Sequence, residues 1–430
     1  MKLIIIFIFL QYTLSLKILQ IVPGFTNSHV LFNYRVAETL TKLGHQVRMW
    51  TQMEMNMVVA GDLSIPKNVT EHRVPIHFSD KLKMEGLSEF KDMRIESCHQ
   101  MLKVDPKIVD SFAQENFDLA VGHFHDLCPL AIAEKIGIKK FIWITHGTSV
   151  YDFTAVQIGL RTFPSFVPHP LSAYGDRMKF FDRIINLAWH LSTLDFVNLP
   201  QNLLYDENNM YKKEYRPFYD SPDLWDLSQN VRILLVNGDR FLDFPRPLPP
   251  GVTFMGEVGK KPSKSNLVFS SEINEIINRT KKGIIIFSLG TVSNTTNMPQ
   301  KMLRSFVEAF GRFPEYQILW RMEMDVPEAS KYKELDKLNL TPDIVAEKMN
   351  LILNDPRYSQ KAQRLASMLN DRPFEDPHAI LNHRLRLAVS EKEHFALKSS
   401  QKLNFITFHG IDIFIFFSLT TLFLITIVKN

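Results

Sequence analysis

Short apolar runs alternate with stretches of helical period along most of the chain, and this alternation limits the fold more than any other feature. Ile18-Leu19-Gln20-Ile21-Val22-Pro23 reads as a strand, and residues 28–43 follow as a helix with Phe32, Val36, Leu40 and Leu43 on one face. Gly44 ends that helix, and residues 46–51 make the next strand. Asp105 caps a helix that carries Pro106 in its first turn and turns Ile108, Val109 and Phe112 inward. Residues 117–122 and 140–145 are further strands around a helix over 129–136, and residues 231–237 return to the sheet. Such a β-α-β-α rhythm requires a parallel, doubly wound α/β sheet covered on both faces.

Residues 160–230 are richer in Pro, Asn and aromatics, and read as irregular helices around a small-molecule cleft. Pro245-Arg-Pro-Leu-Pro-Pro-Gly251 reads as a stiff linker between domains. Beyond it, Gly283 to Gly290 is a strand entering a small-residue loop, 299–310 is a helix and 317–321 a strand. Thr341-Pro342 and Asp355-Pro356 then cap two helices, with no further strand between them and the C-terminus. Sheets have about five or six strands on average. With two, the domain over 251–400 is expected to be incomplete, against a complete N-terminal domain over 17–250.

Both ends carry targeting character. Lys2 precedes eight apolar residues, Leu3 to Leu10, and then a polar stretch with Thr13 and Ser15, the pattern of a secretory signal over 1–16. The run 405–428 is long and apolar enough for a membrane helix, with His409 and Asp412 at its entrance. Together they imply a type I membrane protein with its bulk in a lumen. The sequons at Asn68, Asn278, Asn294 and Asn339 suit that route. Cys98 and Cys128 could pair in an oxidising lumen, but nothing in their spacing requires a bridge, and two buried thiols are the expectation. Fifty basic and 46 acidic residues are spread along the chain without a basic stripe, so nucleic acid is not an implied partner.

His29 lies where the first strand turns into its helix, beyond the carboxyl edge at which open parallel sheets bind ligands. A helix start disfavours an imidazolium and keeps the ring available as a base, although position alone leaves local capping or packing as the commoner role. His123-x-His125-Asp126 offers three metal ligands, two His and one Asp, in one loop, but no fourth ligand is suggested, and a metal is not expected.

Several blocks, in order, resemble the membrane-bound UDP-glucuronosyltransferases in their nematode form: "IVPGFTNSHVLFNYRVAETLTKLGHQV", "PSFVPHPLSAYGDRM", "FLDFPRPLPPGVTFMGEV", "IIIFSLGT", "ILWRMEMDVPEA", "LNDPRYSQKAQRLASMLNDRP" and "FHGIDI". The resemblance implies a GT-B architecture of two Rossmann-like domains, the first holding a small lipophilic acceptor and the second UDP-glucuronate or UDP-glucose as co-substrate, with no cofactor. It implies endoplasmic reticulum membrane localisation and pairing with family members. His29 matches the family's general base, and Ser288, Gly290 and Thr291 match its diphosphate-holding loop. The family's orienting aspartate falls at His123 here, and Asp126, three residues on, is the expected substitute.

The resemblance also marks a gap. After the strand matching "ILWRM", the family has a Trp and Pro-Gln loop around uridine, a His-Gly-Gly turn for the diphosphate and an Asp-Gln pair for the sugar. None occurs here, and the likeness resumes near Leu335. Thr145-His-Gly-Thr-Ser149 follows a first-domain strand and lacks the rest of that block. The expectation is a transferase by family whose own transfer is impaired, or an inactive lumenal partner of complete relatives.

Overall fold

The computed structural model describes residues 15–24, 26–54, 64–78, 87–147, 150, 156–160, 163–169, 172–195, 205–215, 222–256, 258–259, 269–289, 295, 298–321, 341–371, 376–390, 403 and 405–429. The signal over 1–16 and the junction between Arg321 and Thr341 lie almost wholly outside them. The chain divides into two compact units, Met1–Lys260 with Pro373–Asn430, and Lys261–Arg372.

The first unit is built on seven parallel strands: β1 (Lys17–Gly24), β2 (Gln46–Glu54), β3 (Val69–Ile76), β4 (Leu119–His123), β5 (Phe141–Thr145), β6 (Leu234–Val236) and β7 (Val252–Phe254). Their order is β3-β2-β1-β4-β5-β6-β7, with every adjacent pair parallel. Side chains alternate between the two faces of a strand. Ile18 and Val22 accordingly join one core, with Leu119, Val121, Ile142, Ile144 and Leu235, while Leu19 and Ile21 join the other, with Ala120, Trp143, Leu234 and Val236. Apolar burial on both faces is what a parallel sheet needs.

Helix α1 (Asn27–Lys42) covers the first face. Helices α2 (Leu87–Leu102), α3 (Pro106–Ala113), α4 (Cys128–Ile136), α5 (Phe180–Asp195), α6 (Tyr205–Glu214) and α7 (Leu224–Ser228) also belong to this unit. The second core includes Cys98, Phe112, Leu130, Tyr211 and Leu224, from α2, α3, α4, α6 and α7.

Two boundaries differ from the sequence expectation. The proline-rich stretch 245–251 is not a linker between domains: it leads into β7, which pairs with β6, so the first unit runs on to Lys260. A later helix also returns to this unit, Pro377–Val389, whose Leu381 and Leu385 are buried in the α1-side core.

In the second unit, α8 (Ser271–Arg279), α9 (Gln300–Phe310), α10 (Pro342–Asn354) and α11 (Pro356–Asn370) accompany a parallel pair, β8 (Gly283–Ser288) and β9 (Tyr316–Arg321). Phe287, Phe306, Phe310 and Trp320 form one aromatic cluster. Ile286, in contrast, is 77% exposed in the middle of β8. With the returning helix counted as α12, the chain closes with α13 (Phe405–Phe408) and α14 (Ile411–Lys429). The membrane helix expected over 405–428 is not met: among the described residues no helix is long and apolar enough to cross a membrane. In α14 the side chains are described only as far as Ile427, and from Ile413 to Ile427 the large apolar ones are exposed.

Candidate active site

The order of the strands reverses between β1 and β4, and the crevice beyond their carboxyl ends is where such sheets hold ligands. β1 ends at Gly24, whose position tolerates no side chain because a Cβ would meet the Gln52 carbonyl. The chain then turns into α1, capped by the Thr26 hydroxyl, which accepts a bond from the His29 amide at 3.3 Å. His29 is thereby fixed in the first turn. His123 is the last residue of β4, His125 lies two residues on, and His146 directly follows β5.

These four histidines converge. His29 Nε2 stands 2.9 Å from His146 Nε2, so one ring donates and the other accepts. Ring centroids lie 5.8 Å apart for His29 and His123, 5.5 Å for His123 and His146, and 6.2 Å for His125 and His146. Asn33 fixes part of the cluster: its Nδ2 donates to the His29 carbonyl and to His123 Nε2, both at 2.8 Å, while its Oδ1 accepts from Gln20 Nε2 at 2.7 Å. An amide nitrogen only donates, so His123 Nε2 is an acceptor and its proton sits on Nδ1.

Burial, reinforced by the mutual repulsion of the rings, pushes His29 and His125 down from 6.5 to about 3. Burial alone lowers His146 to about 4, and His123 falls well below its ordinary value through burial and its three neighbours. The cluster is neutral at physiological pH. No carboxylate is among the groups that shift His29 or His146.

Asp126 does not come to His29. It is buried on the other side of the loop, where its Oδ1 accepts from the Cys128 amide at 3.3 Å and its carboxyl hydrogen-bonds Glu207. Arg94 on α2 donates to Glu207 Oε2 at 2.6 Å, and Glu207 Oε1 accepts from the amides of Leu127 and Cys128 at 3.1 and 2.8 Å. Helix α4 has no side-chain cap of its own, so Glu207 supplies one from α6. Burial, and then the Asp126 charge, hold the Glu207 carboxyl well above the usual range, although Arg94 opposes them. The same place corrects the thiol expectation: Cys98 at the end of α2 and Cys128 at the start of α4 form a disulfide with Cα atoms 5.5 Å apart. Packing of α2 on α4 brings them together across 30 residues of sequence.

Ser288 is the exposed last residue of β8 in the second unit, while Gly290 and Thr291 lie outside the described residues. The residue missed by sequence reasoning is His146. Its one signal was its position, immediately after a strand of the same sheet as His29.

The UDP-glucoronosyl and UDP-glucosyl transferase family model matches residues 64–333. The Caenorhabditis elegans protein ugt-60, named as a UDP-glucuronosyltransferase, is 46% identical over 491 aligned positions that cover 95% of this chain and 96% of the relative. Those positions outnumber the 430 residues of this chain, so the relative carries residues for which this chain has none. Caenorhabditis elegans ugt-47 is 26% identical, and the match covers 75% of this chain and 61% of that one. Among solved structures, Phytolacca americana UGT2 complexed with UDP-2fluoro-glucose and pterostilbene superposes with a TM-score of 0.51 at 11% identity, covering 87% of this chain and 99% of that one. A UDP-glucosyltransferase of Polygonum tinctorium gives 0.52 at 11% identity, covering 88% and 100%. This likeness shows the GT-B glycosyltransferase fold. The chain belongs to the UDP-glucuronosyl and UDP-glucosyl transferase family, enzymes that transfer a sugar from a UDP-sugar.

Proposed function

We propose that this chain binds small lipophilic hydroxyl compounds in its first unit, and that its transfer of glucuronate or glucose to them is impaired. The observation that carries the first part is the neutral His29 ring, fixed at the start of α1 in the crevice of the sheet. A neutral imidazole there can take a hydroxyl proton as the oxygen attacks the anomeric carbon and UDP leaves. The second part rests on the sequence between Arg321 and Thr341, which has no residues for a uridine platform, a diphosphate turn or a sugar-reading pair. A helix-start anion site is the largest donor contact one can name. The longer alignment to ugt-60 supports a lost internal segment. Ser288, Gly290 and Thr291 are what remains of the donor side. Asp126 is assigned to the Arg94–Glu207 cluster and not to base orientation.

The apolar side chains that α14 exposes from Ile413 to Ile427 favour attachment to the surface of an endoplasmic reticulum membrane, with the first unit in the lumen. A partnership with complete relatives is the second reading, favoured by an intact first unit beside a second unit that leaves Ile286 uncovered. The test uses the full chain in detergent, with calorimetric titration of 1-naphthol and, separately, of UDP-glucuronate. Saturable binding of the phenol and none of the nucleotide sugar is expected. Tight nucleotide-sugar binding with product formation by the chain alone would overturn the impaired reading.

A further inference from the structure

Among the described residues no carboxylate shifts His29 or His146, though a histidine base ordinarily leans on one, and the geometry shows what stands in its place. His29 Nε2 and His146 Nε2 are 2.9 Å apart, at N–H···N hydrogen-bond length, and neither Nδ1 has a hydrogen-bond partner although both atoms are buried. One proton therefore sits between the rings. Each of the two arrangements leaves a different free atom on His29. If His146 donates, His29 carries its own proton on Nδ1 and offers no lone pair there. If His29 donates, its Nδ1 lone pair is free to accept.

We propose that His146 is a positioning residue for His29, accepting the His29 Nε2 proton and so keeping the Nδ1 lone pair available as the base. This rests on the acceptor-binding reading given above. In the proton step the acceptor O–H bond breaks and an N–H bond forms at His29 Nδ1. The His29 Nε2–H proton then crosses to His146 Nε2. The acceptor oxygen uses its electron pair to bond the anomeric carbon of the UDP-sugar, and UDP departs with the electrons of the bond it loses. The positive charge ends on His146, the ring whose burial depresses its basicity less, at about 4 against about 3. An imidazolium donating to a neutral imidazole is a charge-assisted hydrogen bond, which gives the cation some of the stabilisation a carboxylate would give.

The groups around the pair fit this role. His123 faces it from β4, its Nε2 already engaged by Asn33 and so removed from competition. His125 faces it from the loop before α4, with the Arg94 guanidinium beyond it on α2. The carboxyls of Asp126 and Glu207 are held by one another, and that of Glu207 also by Arg94. His146 is therefore the acceptor placed to receive the proton of His29.

Nitrogen NMR on the full chain with 15N-labelled histidine side chains reads the tautomers directly at pH 7. His29 is expected as the Nε2–H tautomer, coupled through its hydrogen bond to an unprotonated His146 Nε2. His146→Gln keeps an accepting oxygen, so the same His29 tautomer persists. His146→Phe removes the acceptor, and His29 divides between both tautomers. An Nδ1–H tautomer of His29 in the native protein overturns the inference, as does a His29 tautomer that His146→Phe leaves unchanged. Fluorescence titration with 1-naphthol runs alongside. Failure of the native chain to bind it removes the acceptor reading, whereas the tautomer result decides the positioning role by itself. A His146→Phe chain that does not fold leaves the decision to the native tautomer and the Gln variant.

Discussion

Glu207 is the most exacting place to test how the first unit holds its site. Its carboxylate and the Arg94 guanidinium are 1% and 2% exposed at 2.6 Å, and it also takes the amides of Leu127 and Cys128 at the start of α4. In Glu207→Ala the guanidinium is left buried with Asp126 alone, which has no described contact with it, and the start of α4 loses its cap. Breaking a buried pair by removing one partner costs about 3–5 kcal/mol. For a unit of this size each kcal/mol moves the melting temperature by roughly 2–4 °C, so the unit should melt about 6–20 °C lower. The paired change Arg94→Met with Glu207→Gln keeps an accepting oxygen for the two amides and removes the charge. It also removes Arg94 Nε and Nη1, which are buried without partners. Most of the loss should therefore return, because a buried pair replaced as a whole is often neutral. Differential scanning calorimetry of the full chain, with Trp50 and Trp143 fluorescence reporting the first unit, reads both. If the double variant is as unstable as Glu207→Ala, the charge is not the source of the loss and the reasoning fails.

Three further outcomes follow from the same structure. Replacing Cys98 and Cys128 by Ala opens a loop of 30 residues and should lower stability by about 3.5 kcal/mol on chain-entropy grounds; an unchanged urea midpoint would contradict this. The histidines give a pH signature. His29, His125 and His146 stay neutral in the folded chain down to about 3–4, while the unfolded chain takes up protons near 6.5, so their contribution is complete above 6.5 and is lost as pH falls from there. The raised Glu207 acts oppositely, losing stability as pH rises above its ordinary 4.5, so the histidine term is read in a Glu207→Gln background, where a melting temperature that does not fall between pH 7 and 5 refutes it. Replacing Phe416 and Leu419 by Arg in α14 should release the protein from vesicles on flotation, since it puts two charges into the exposed apolar stretch proposed to meet the membrane; retention would remove α14 as the attachment.

What the sequence showed and what it hid divide along a physical line. Apolar runs and helix caps are local, and β1, β4, β5, α1 and the capped starts at Asp105, Thr341 and Asp355 were legible within a few residues. Contacts that depend on the turn of the whole chain were not. β3 carries Glu71, His72 and Arg73 and does not read as an apolar strand, and β7 is three residues long after a run of prolines. The return of α12 to the first core, through Leu381 and Leu385, has no local signal. The site behaves likewise. His29 was legible from its place after β1, but its partner His146 is 117 residues away, and Asp126, adjacent to the site in sequence, faces Glu207.

The first unit is proposed to be equipped for acceptor chemistry, and a missing internal segment to be what prevents transfer. Grafting the corresponding ugt-60 segment between Arg321 and Thr341, then measuring transfer of labelled glucuronate from UDP-glucuronate to 1-naphthol, tests it most directly. Turnover is expected in the graft and not in the native chain, and His29→Ala in the graft should abolish it. Equal turnover by the native chain, or turnover in the graft that survives His29→Ala, would contradict the account.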